Sequence, residues 1–491
     1  MSRAIHCAEC HARRGSVLVI VLWAVSIGAA IVAGVQISSF RQAVLGSDAI
    51  ARVQARWAAR AGVETMIAIM EYHTDNPDPE DALAMIRDLE DNSYAELETG
   101  SFDIRHFLDG REWAGPLDEH SKANINLLSG ELMNIRAMTP DVVGAITDWR
   151  DSNEDAGMLG AEKSHYQNRG KSYEPRNANF RSFAELELVA GVWPEYTRGE
   201  DWNLDGRINS NEDDGDQTWP DDKADGLLDM GWSGILTALS RSSAMAPSGL
   251  PRLNLTTATA EEVIERTGIT APQASALLAY AKTPNAKLEQ LLTVPLSTLS
   301  SGGSSGGGAA GGSGTGGSGT GGSSTGRTGS KGSTGGTSGG TTGRSSGGRS
   351  TSTGGVSQAA PGDLDSAAKG RVLNECTTTE FKRPGPGKIN VNTVSGEVLR
   401  EVFDLNPKLV DSLLARRDAK PSGLTSLSAV LDIPGFTPTI LLPLAKQLDV
   451  QSFVFTISSR GRSTTVGGES EMVVTVDRST LPAQILMYRE P

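Results

Sequence analysis

The longest pattern in the chain is an unbroken apolar run. From Ser16 to Phe40 no side chain is charged, and Arg13 and Arg14 stand immediately before it. As a helix this run is about 38 Å long, enough to cross a hydrocarbon core of about 30 Å with some tilt. Arg3, Arg13 and Arg14 on its near side predict a cytoplasmic N-terminus, with everything after residue 41 across the membrane. The helical period continues beyond the run. Leu45, Ala49, Val53, Trp57 and Ala61 recur close to every 3.6 residues, Val63, Ile67 and Met70 carry the stripe on, and Arg52, Arg56, Arg60 and Glu64 lie between. This predicts one long helix to about residue 73, its apolar stripe lying on a sheet, ended by Asn76-Pro77-Asp78-Pro79. A short amphipathic helix is expected over 80–89. The period then changes to two over 95–108, punctuated by Gly100 and Asp109-Gly110, which reads as a strand pair. Three more alternating stretches close the chain, at 452–462, 469–478 and 483–489, and these should complete the same sheet.

Between the two groups of strands lie three internal repeats. They open at Ile125-Asn126-Leu127, at Leu253-Asn254-Leu255 and at Ile389-Asn390-Val391. Each continues with Ser129, Thr259 or Ser395 as a helix cap and with Glu131, Glu261 or Glu397, one residue short of capping-box spacing and suited to the helix dipole. Each later reaches a second apolar segment, at 183–191, 288–294 and 427–435. These repeats look like helix-hairpin-helix units. Such units bind phosphate through a Gly-rich turn with basic neighbours, but Thr267-Gly268-Ile269 and Pro434-Gly435-Phe436 have few, and only Arg416-Arg417 forms a basic pair. A formal net charge of −14 over 491 residues also argues against a nucleic-acid surface.

Residues 299–360 are Gly, Ser and Thr with scattered Arg327, Lys331, Arg344 and Arg349, a flexible linker between the second and third repeats. The expected organisation is therefore a leader at 1–15, a transmembrane and long helix at 16–75, a first part of the sheet at 80–123, a helical domain with two repeats at 124–298, the linker at 299–360, a third helical repeat at 372–450, and the closing strands at 451–491. Of three cysteines, Cys7 and Cys10 lie in the leader. Their Cys-x-x-Cys-His spacing matches haem attachment but sits on the wrong side of the membrane. Only Cys376 remains beyond them, so packing or metal must supply stability. The His residues beyond the leader (His73, His106, His120, His165) show no metal or triad spacing, and no nucleophile–base arrangement is legible.

The clearest candidate chemistry is a cation loop. Asp201, Asn203 and Asp205 fall at positions 1, 3 and 5 of an EF-hand pattern, Gly206 at 6, Arg207 with its carbonyl at 7, Ile208 at 8, Asn209 at 9 and Glu212 at 12. Alternate side chains and one carbonyl would make an oxygen cage for Ca2+. Residues 200–229 hold eleven acidic side chains against Arg207 and Lys223, a density that is self-repulsive without a cation. A degenerate second loop could start at Asp221, although Lys223 and Trp232 fall on ligand positions. Asp151, Asn153, Glu154 and Asp155 form a smaller acidic group.

The junction Arg14-Gly15-Ser16, a basic leader ending in Gly before an apolar helix, resembles a type IV prepilin leader. The resemblance implies cleavage by a prepilin peptidase between Gly15 and Ser16, with N-methylation of the new terminus. Most pilins carry Glu at the fifth mature position, where this chain has Ile20. A carboxylate in hydrocarbon is costly without a partner, so its absence suits a subunit with none above it. Asp148-Trp149-Arg150-Asp151, followed by Gly160-Ala161-Glu162, Tyr166, Asn179-Phe180 and Phe183, is similar to the general secretion pathway protein K family, the K-type minor pseudopilins of type II secretion. That family implies an α+β fold: a pilin-like long N-terminal helix packed on an antiparallel sheet, with a large inserted α-helical domain of helix-hairpin-helix (SAM-like) repeats. It implies a single-pass inner-membrane protein with its bulk in the periplasm, I- and J-type minor pseudopilin partners, contact with the inner-membrane secretion assembly and with secreted substrates, and no nucleic acid. A helical domain of roughly 250 residues has a radius of gyration near 18 Å, bulk that favours the pseudopilus tip. The rival readings are a membrane-tethered helix-hairpin-helix DNA-binding protein and a calcium-dependent envelope interaction protein.

Overall fold

The computed structural model describes residues 9–301, 363–465 and 467–490. Leader residues 1–8 and nearly all of the expected linker lie outside them. Helix α1 (Glu9–Asp75) is continuous through the Gly15–Ser16 junction and roughly 100 Å long. From Val17 to Phe40 its large apolar side chains are all exposed, as a membrane segment requires. Helix α2 (Ala84–Asp91) follows, burying Met85 and Leu89.

The sheet is built from both ends of the chain. Its strands are β1 (Tyr94–Leu97), β2 (Gly100–Leu108), β3 (Arg111–Ala114) and β4 (Leu117–Asp118), then, after the insertion, β11 (Val454–Ser463), β12 (Glu469–Asp477) and β13 (Gln484–Arg489). The order is β1-β2-β11-β12-β13, with β3 added to β2 and β4 to β11, and every pairing is antiparallel. Ser459 lies opposite Ile104, so strands 355 positions apart in sequence are neighbours. Alternation places Phe102, Ile104, Phe455, Ile457, Met472, Val474 and Val476 on one face, packed with Met66 and Met70 of α1.

Val63 and Met70 are buried on the sheet with Ile67 packed beside them, as expected, but before residue 60 the side of α1 that meets the sheet differs from the expected one. Val53 is 55 % and Trp57 62 % exposed, and Leu45 is exposed too. The buried face is Ala51, Ala55, Ala58, Ala59, Val63, Met66 and Met70. The reason is steric. A Cβ added at Gly461 would stand 2.0 Å from the Ala55 carbonyl oxygen, and one at Gly62 would stand 2.6 Å from Ser459 Oγ. Ser459 Oγ donates to the Ala59 carbonyl at 2.9 Å. Only small residues admit backbones this close, so the larger apolar stripe is turned outward.

The insertion is helical with very short strand pairs. Its elements are β5 (Ala123–Asn124), α3 (Pro140–Arg150), α4 (Lys163–Asn168), α5 (Pro194–Arg198), β6 (Leu236–Thr237), β7 (Leu253–Asn254), α6 (Ala260–Thr267), α7 (Ala271–Ala281), α8 (Leu296–Ser301), α9 (Ser366–Glu375), β8 (Cys376–Thr377), β9 (Ile389–Asn390), α10 (Pro407–Asp418), α11 (Pro438–Ala445) and β10 (Leu448–Asp449). Each repeat opens on a two-residue strand in a parallel pair: β5 with β6, β7 with β8, β9 with β10. The Asn of that strand accepts from the amide two residues on, Asn124 from Asn126, Asn254 from Thr256 and Asn390 from Asn392, at 2.9–3.0 Å. The first repeat thus begins at Ala123-Asn124, two residues before the expected Ile125-Asn126. In repeats one and three the second Asn makes a two-point clamp. Asn126 bonds both the Phe180 carbonyl and amide, and Asn392 both the Leu424 carbonyl and amide.

After this step only repeat two forms the expected α-helix at once. Thr259 caps α6 in a capping box completed by Glu262, not by Glu261. Gly268, at φ +65°, then turns the chain into α7. Repeat one has a 3-10 turn (Gly130–Asn134) there and repeat three a π turn (Val398–Val402). The later apolar segments are all 3-10 helices, Phe183–Leu188, Leu288–Leu292 and Leu427–Asp432.

Hydrophobic contacts group the repeats across the chain. Ile125, Ile146, Trp149 and Leu186 share one core with Val391, Val410, Leu427 and Leu441, uniting repeats one and three. Repeat two packs instead with α9 through Leu255, Val263, Leu277, Leu291 and Val372. The insertion meets the sheet through buried carboxylates. Asp118 accepts from the hydroxyls of Thr393 and Ser452, and Glu119 from those of Thr237 and Thr456. Burial raises the Asp118 pKa, opposed by His120 and these donors.

The helix–sheet seam makes a direct prediction. Gly461→Ala in the detergent-solubilised chain should lower unfolding free energy by roughly 3 kcal/mol in urea, whereas Gly130→Ala, with nothing within 4 Å of its added Cβ, should change it by less than about 0.5 kcal/mol. Equal effects would contradict the seam.

Candidate functional site

The residues at 201–212 form a loop lying against the sheet, and the sequence makes it turn there. Gly206 has φ +68°, the conformation that the sixth loop position needs and that favours glycine. Asp201, Asp205 and Glu212 are all buried, with Asn203 and Asn209 half-buried. Asp201 accepts from the amides of Asp205 at 3.1 Å and Gly206 at 3.0 Å, Asn203 Oδ1 from Asp205 N at 2.8 Å, and Asp205 Oδ1 from Arg207 N at 2.8 Å. Asp205 Oδ2 accepts from the side-chain amides of Asn203 and Asn209 at 2.7 and 2.9 Å, and Glu212 Oε2 from Asn209 N at 3.1 Å. The side-chain amides of Asn203 and Asn209 therefore close on Asp205, while the carboxylates of Asp201, Asp205 and Glu212 do not form a group whose oxygens lie within 4.8 Å of one another.

The charge balance of this loop suits a cation. The guanidinium of Arg207 turns away, donating to the Asp103 carbonyl at 3.0 Å and the Asp103 carboxylate at 2.9 Å. Burial first, then the charges of Asp205 and Glu212, push the Asp201 pKa up to about 8. Burial and Asp205 push that of Glu212 up to about 7. Buried carboxylates that raise one another in this way are stabilised by a divalent ion, which takes all-oxygen ligand sets of this kind. By residue type this is a set that Ca2+ takes, with carboxylates at positions 1, 5 and 12, amides at 3 and 9 and a carbonyl at 7, although Asn209 Oδ1 is engaged by Arg460 at 2.6 Å.

The rest of the acidic stretch is spent on its own backbone. Asp222 accepts from the amides of Asp214, Gly215 and Ala224, and Asp213 from that of Gly226. Lys223 pairs with Asp229 at 3.3 Å and Glu200 at 3.6 Å. Trp232 is buried against Tyr196 and donates to the Arg136 carbonyl. The degenerate second loop does not gather ligands.

A second acidic cluster forms where the sequence offered a different set. Asn153, Glu154 and Asp155 are exposed. The chain instead brings together Asp148, Asp151 and Glu162, with one carboxylate oxygen from each within 4.8 Å of the others. Asp148 comes from the end of α3, and the loop 151–162 folds back over it, the Gly157 amide donating at 3.1 Å. A Cβ at Gly160 would stand 2.0 Å from Asp148 Oδ2, so any side chain there would push that carboxylate aside. Glu162 is 3 % exposed and neither of its oxygens has a hydrogen-bond partner among the described residues. Burial, Asp148 and Asp151 raise its pKa, and burial and Asp151 raise that of Asp148. The Asp-Trp-Arg-Asp and Gly-Ala-Glu motifs were the available signal for this cluster. The same motif supplies the surrounding core: Trp149 stacks on Phe180 at 6.2 Å and meets Tyr166 edge-on.

Comparison with known proteins bears on this region. Residues 100–198, from β2 through both carboxylate-bearing motifs to the end of α5, match the family model of type II secretion system (T2SS) protein K. No curated protein matches the chain. Among solved structures, a chain of the GspK-GspI-GspJ complex from the enterotoxigenic Escherichia coli type 2 secretion system is similar at 10 % identity and a TM-score of 0.39, covering 89 % of this chain and 96 % of that one. The likeness to the protein K family thus lies in residues 100–198, the stretch that carries both carboxylate motifs.

Proposed function

We propose that this protein is a minor pseudopilin that works at the tip of the type II secretion pseudopilus, where it starts assembly with I- and J-type minor pseudopilins and supports export across the outer membrane. The observation that carries the reading is the free apolar side of α1. Leu45, Ile50, Val53 and Trp57 continue the exposed face of the membrane segment past Phe40, and the chain's own sheet covers the opposite, alanine-lined side. A contiguous exposed apolar stripe marks an interaction surface, and here it runs out of the membrane, where parallel helices of partner subunits would lie. The match of residues 100–198 to the protein K family model supports the same reading. In this account α1 anchors the protein in the inner membrane with its bulk in the periplasm. A prepilin peptidase removes the leader between Gly15 and Ser16, and the bulky insertion leaves no room for a subunit above.

The account assigns Ca2+ to Asp201, Asn203, Asp205, the Arg207 carbonyl, Asn209 and Glu212. Asp148, Asp151 and Glu162 are a second place where a divalent cation fits, supported by the unpartnered Glu162 carboxylate. When bound, the ion supplies the positive charge that these buried carboxylates lack. The residues do the rest: they fold the loops and fix them to the domain, a structural role.

Co-expression with I- and J-type partners tests the assembly claim. Val53→Asp together with Trp57→Asp should abolish co-purification, while the melting temperature of the chain alone stays within a few degrees because both side chains are exposed. Undiminished co-purification would refute it. The cation claim has a pH test. The folded-state pKa values of Asp201, about 8, and Glu212, about 7, lie above the unfolded carboxylate values of about 4. In chelator the folded chain therefore holds more protons than the unfolded one between those limits, and stability should fall as pH rises from about 5 to 8. Calcium at a hundred times its dissociation constant should flatten that fall and add about 2.7 kcal/mol near pH 8. Asp201→Asn with Glu212→Gln should remove both effects.

A further inference from the structure

We propose that the loop at 201–212 is a fastener for the C-terminal strand, so that loading it with a divalent cation orders β13 and its junction with α1. The inference rests on the calcium reading of that loop and extends it to residues outside the ligand set. The loop is held to the sheet from three strands. Phe107 N of β2 donates to the Gly206 carbonyl at 2.7 Å. Arg207 reaches β2 at Asp103 and the Ser458 carbonyl of β11 at 3.3 Å. Arg460 of β11 donates to Asn209 Oδ1 at 2.6 Å. Arg489 of β13 donates to the Asn203 carbonyl and, at 2.8 Å, to that of Leu204. Asn203 and Arg207 thus meet the sheet through a group other than the one at their loop position, the Asn203 carbonyl and the Arg207 guanidinium, whereas the Asn209 side chain meets Arg460 through Oδ1 and Asp205 and Glu212 through Nδ2.

The contact through Arg489 matters most because of where β13 lies. It is an outermost strand, paired only with β12, and Ile485 and Tyr488 are exposed on it. An edge strand of six residues frays unless its end is tied down. Arg489 ties it to the loop. The next residue, Glu490, accepts from Arg56 of α1 at 2.8 Å and from the Tyr488 hydroxyl. One short path therefore runs from the cation loop through Arg489 and Glu490 to the assembly helix. Without a cation, Asp201, Asp205 and Glu212 repel one another, and the two carbonyls that Arg489 grips are part of the segment they would spread. With a cation, Asn203 and Asp205 are pinned and the carbonyls of Asn203 and Leu204 are held in place for the guanidinium fork. Linkage makes the coupling reciprocal: a cation that favours the Arg489 contact is itself favoured by it. Arg489 and Arg460 are positioning residues for the loop, not ligands.

The test uses the full chain in detergent micelles, with calcium chloride or a chelator as the two conditions. Calorimetry reads calcium affinity, and deuterium uptake reads the segment 484–490. Calcium should slow uptake there about tenfold in the parent protein. Arg489→Met should abolish that slowing and weaken calcium binding about tenfold, and Arg489→Lys, which keeps the charge without the fork, should restore only part of each. Glu490→Gln, an exposed change that leaves the loop contact intact, should keep calcium affinity within twofold while releasing Arg56 and checks that β13 itself is folded. Calcium binding with unchanged uptake at 484–490 would overturn the fastener and leave the calcium reading standing. Failure of calcium to bind the loop would overturn both.

Discussion

The close approach of α1 to β11 is the constraint on which the rest of this structure depends. Backbone meets backbone at Ala55 and Gly461, with no space for a Cβ at 461. That contact sets which side of α1 is buried, and so which side is left exposed. It also fixes β11 beside β2. Everything between β4 and β11 must leave the sheet and return to the same place, so the large insertion is tolerated as long as its two ends stay together. The buried carboxylates Asp118 and Glu119, satisfied by hydroxyls from both sides, hold those ends. Such fully partnered polar groups are specific in what they accept.

Within the insertion the repeats divide the work. Repeats one and three share a core and an Asn clamp, the Asp148, Asp151 and Glu162 cluster lies within repeat one, and the loop at 201–212 lies against the sheet. Repeat two, without the clamp because Thr256 stands at that position, packs with α9 as a separate core. In the sequence the long Gly/Ser/Thr stretch falls between α8 and α9. The loop at 201–212 is pinned to the sheet by arginines from β11 and β13, which gives it a mechanical place in the pilin-like half of the protein.

Much of this was legible in the sequence. The membrane run, the strand pairs at both ends, the EF-hand spacing and the repeats are periodic or positional signals, and each can be read locally. What was not legible depends on distance. The stripe of Leu45, Val53 and Trp57 looks like a core face by hydropathy, and only the approach of Gly461 shows that the alanines are buried instead. The register of repeat one was obscured because Asn124 and Asn126 both offer an apolar-Asn step, and only pairing with β6 decides between them. Glu154 and Asp155 are as acidic as Glu162, but the glycines at 157 and 160 fold the chain so that Glu162 is the one to reach Asp148. The ties from Arg460 and Arg489 to the loop span 251 and 286 positions, and no local pattern announces them.

The central claim is that α1 is a pilin-type assembly helix with a removable leader. N-terminal mass analysis of the protein expressed with and without a prepilin peptidase tests it most directly. The account predicts a mature chain beginning at Ser16, N-methylated, only when the peptidase is present. A chain that keeps its leader in both samples would contradict it.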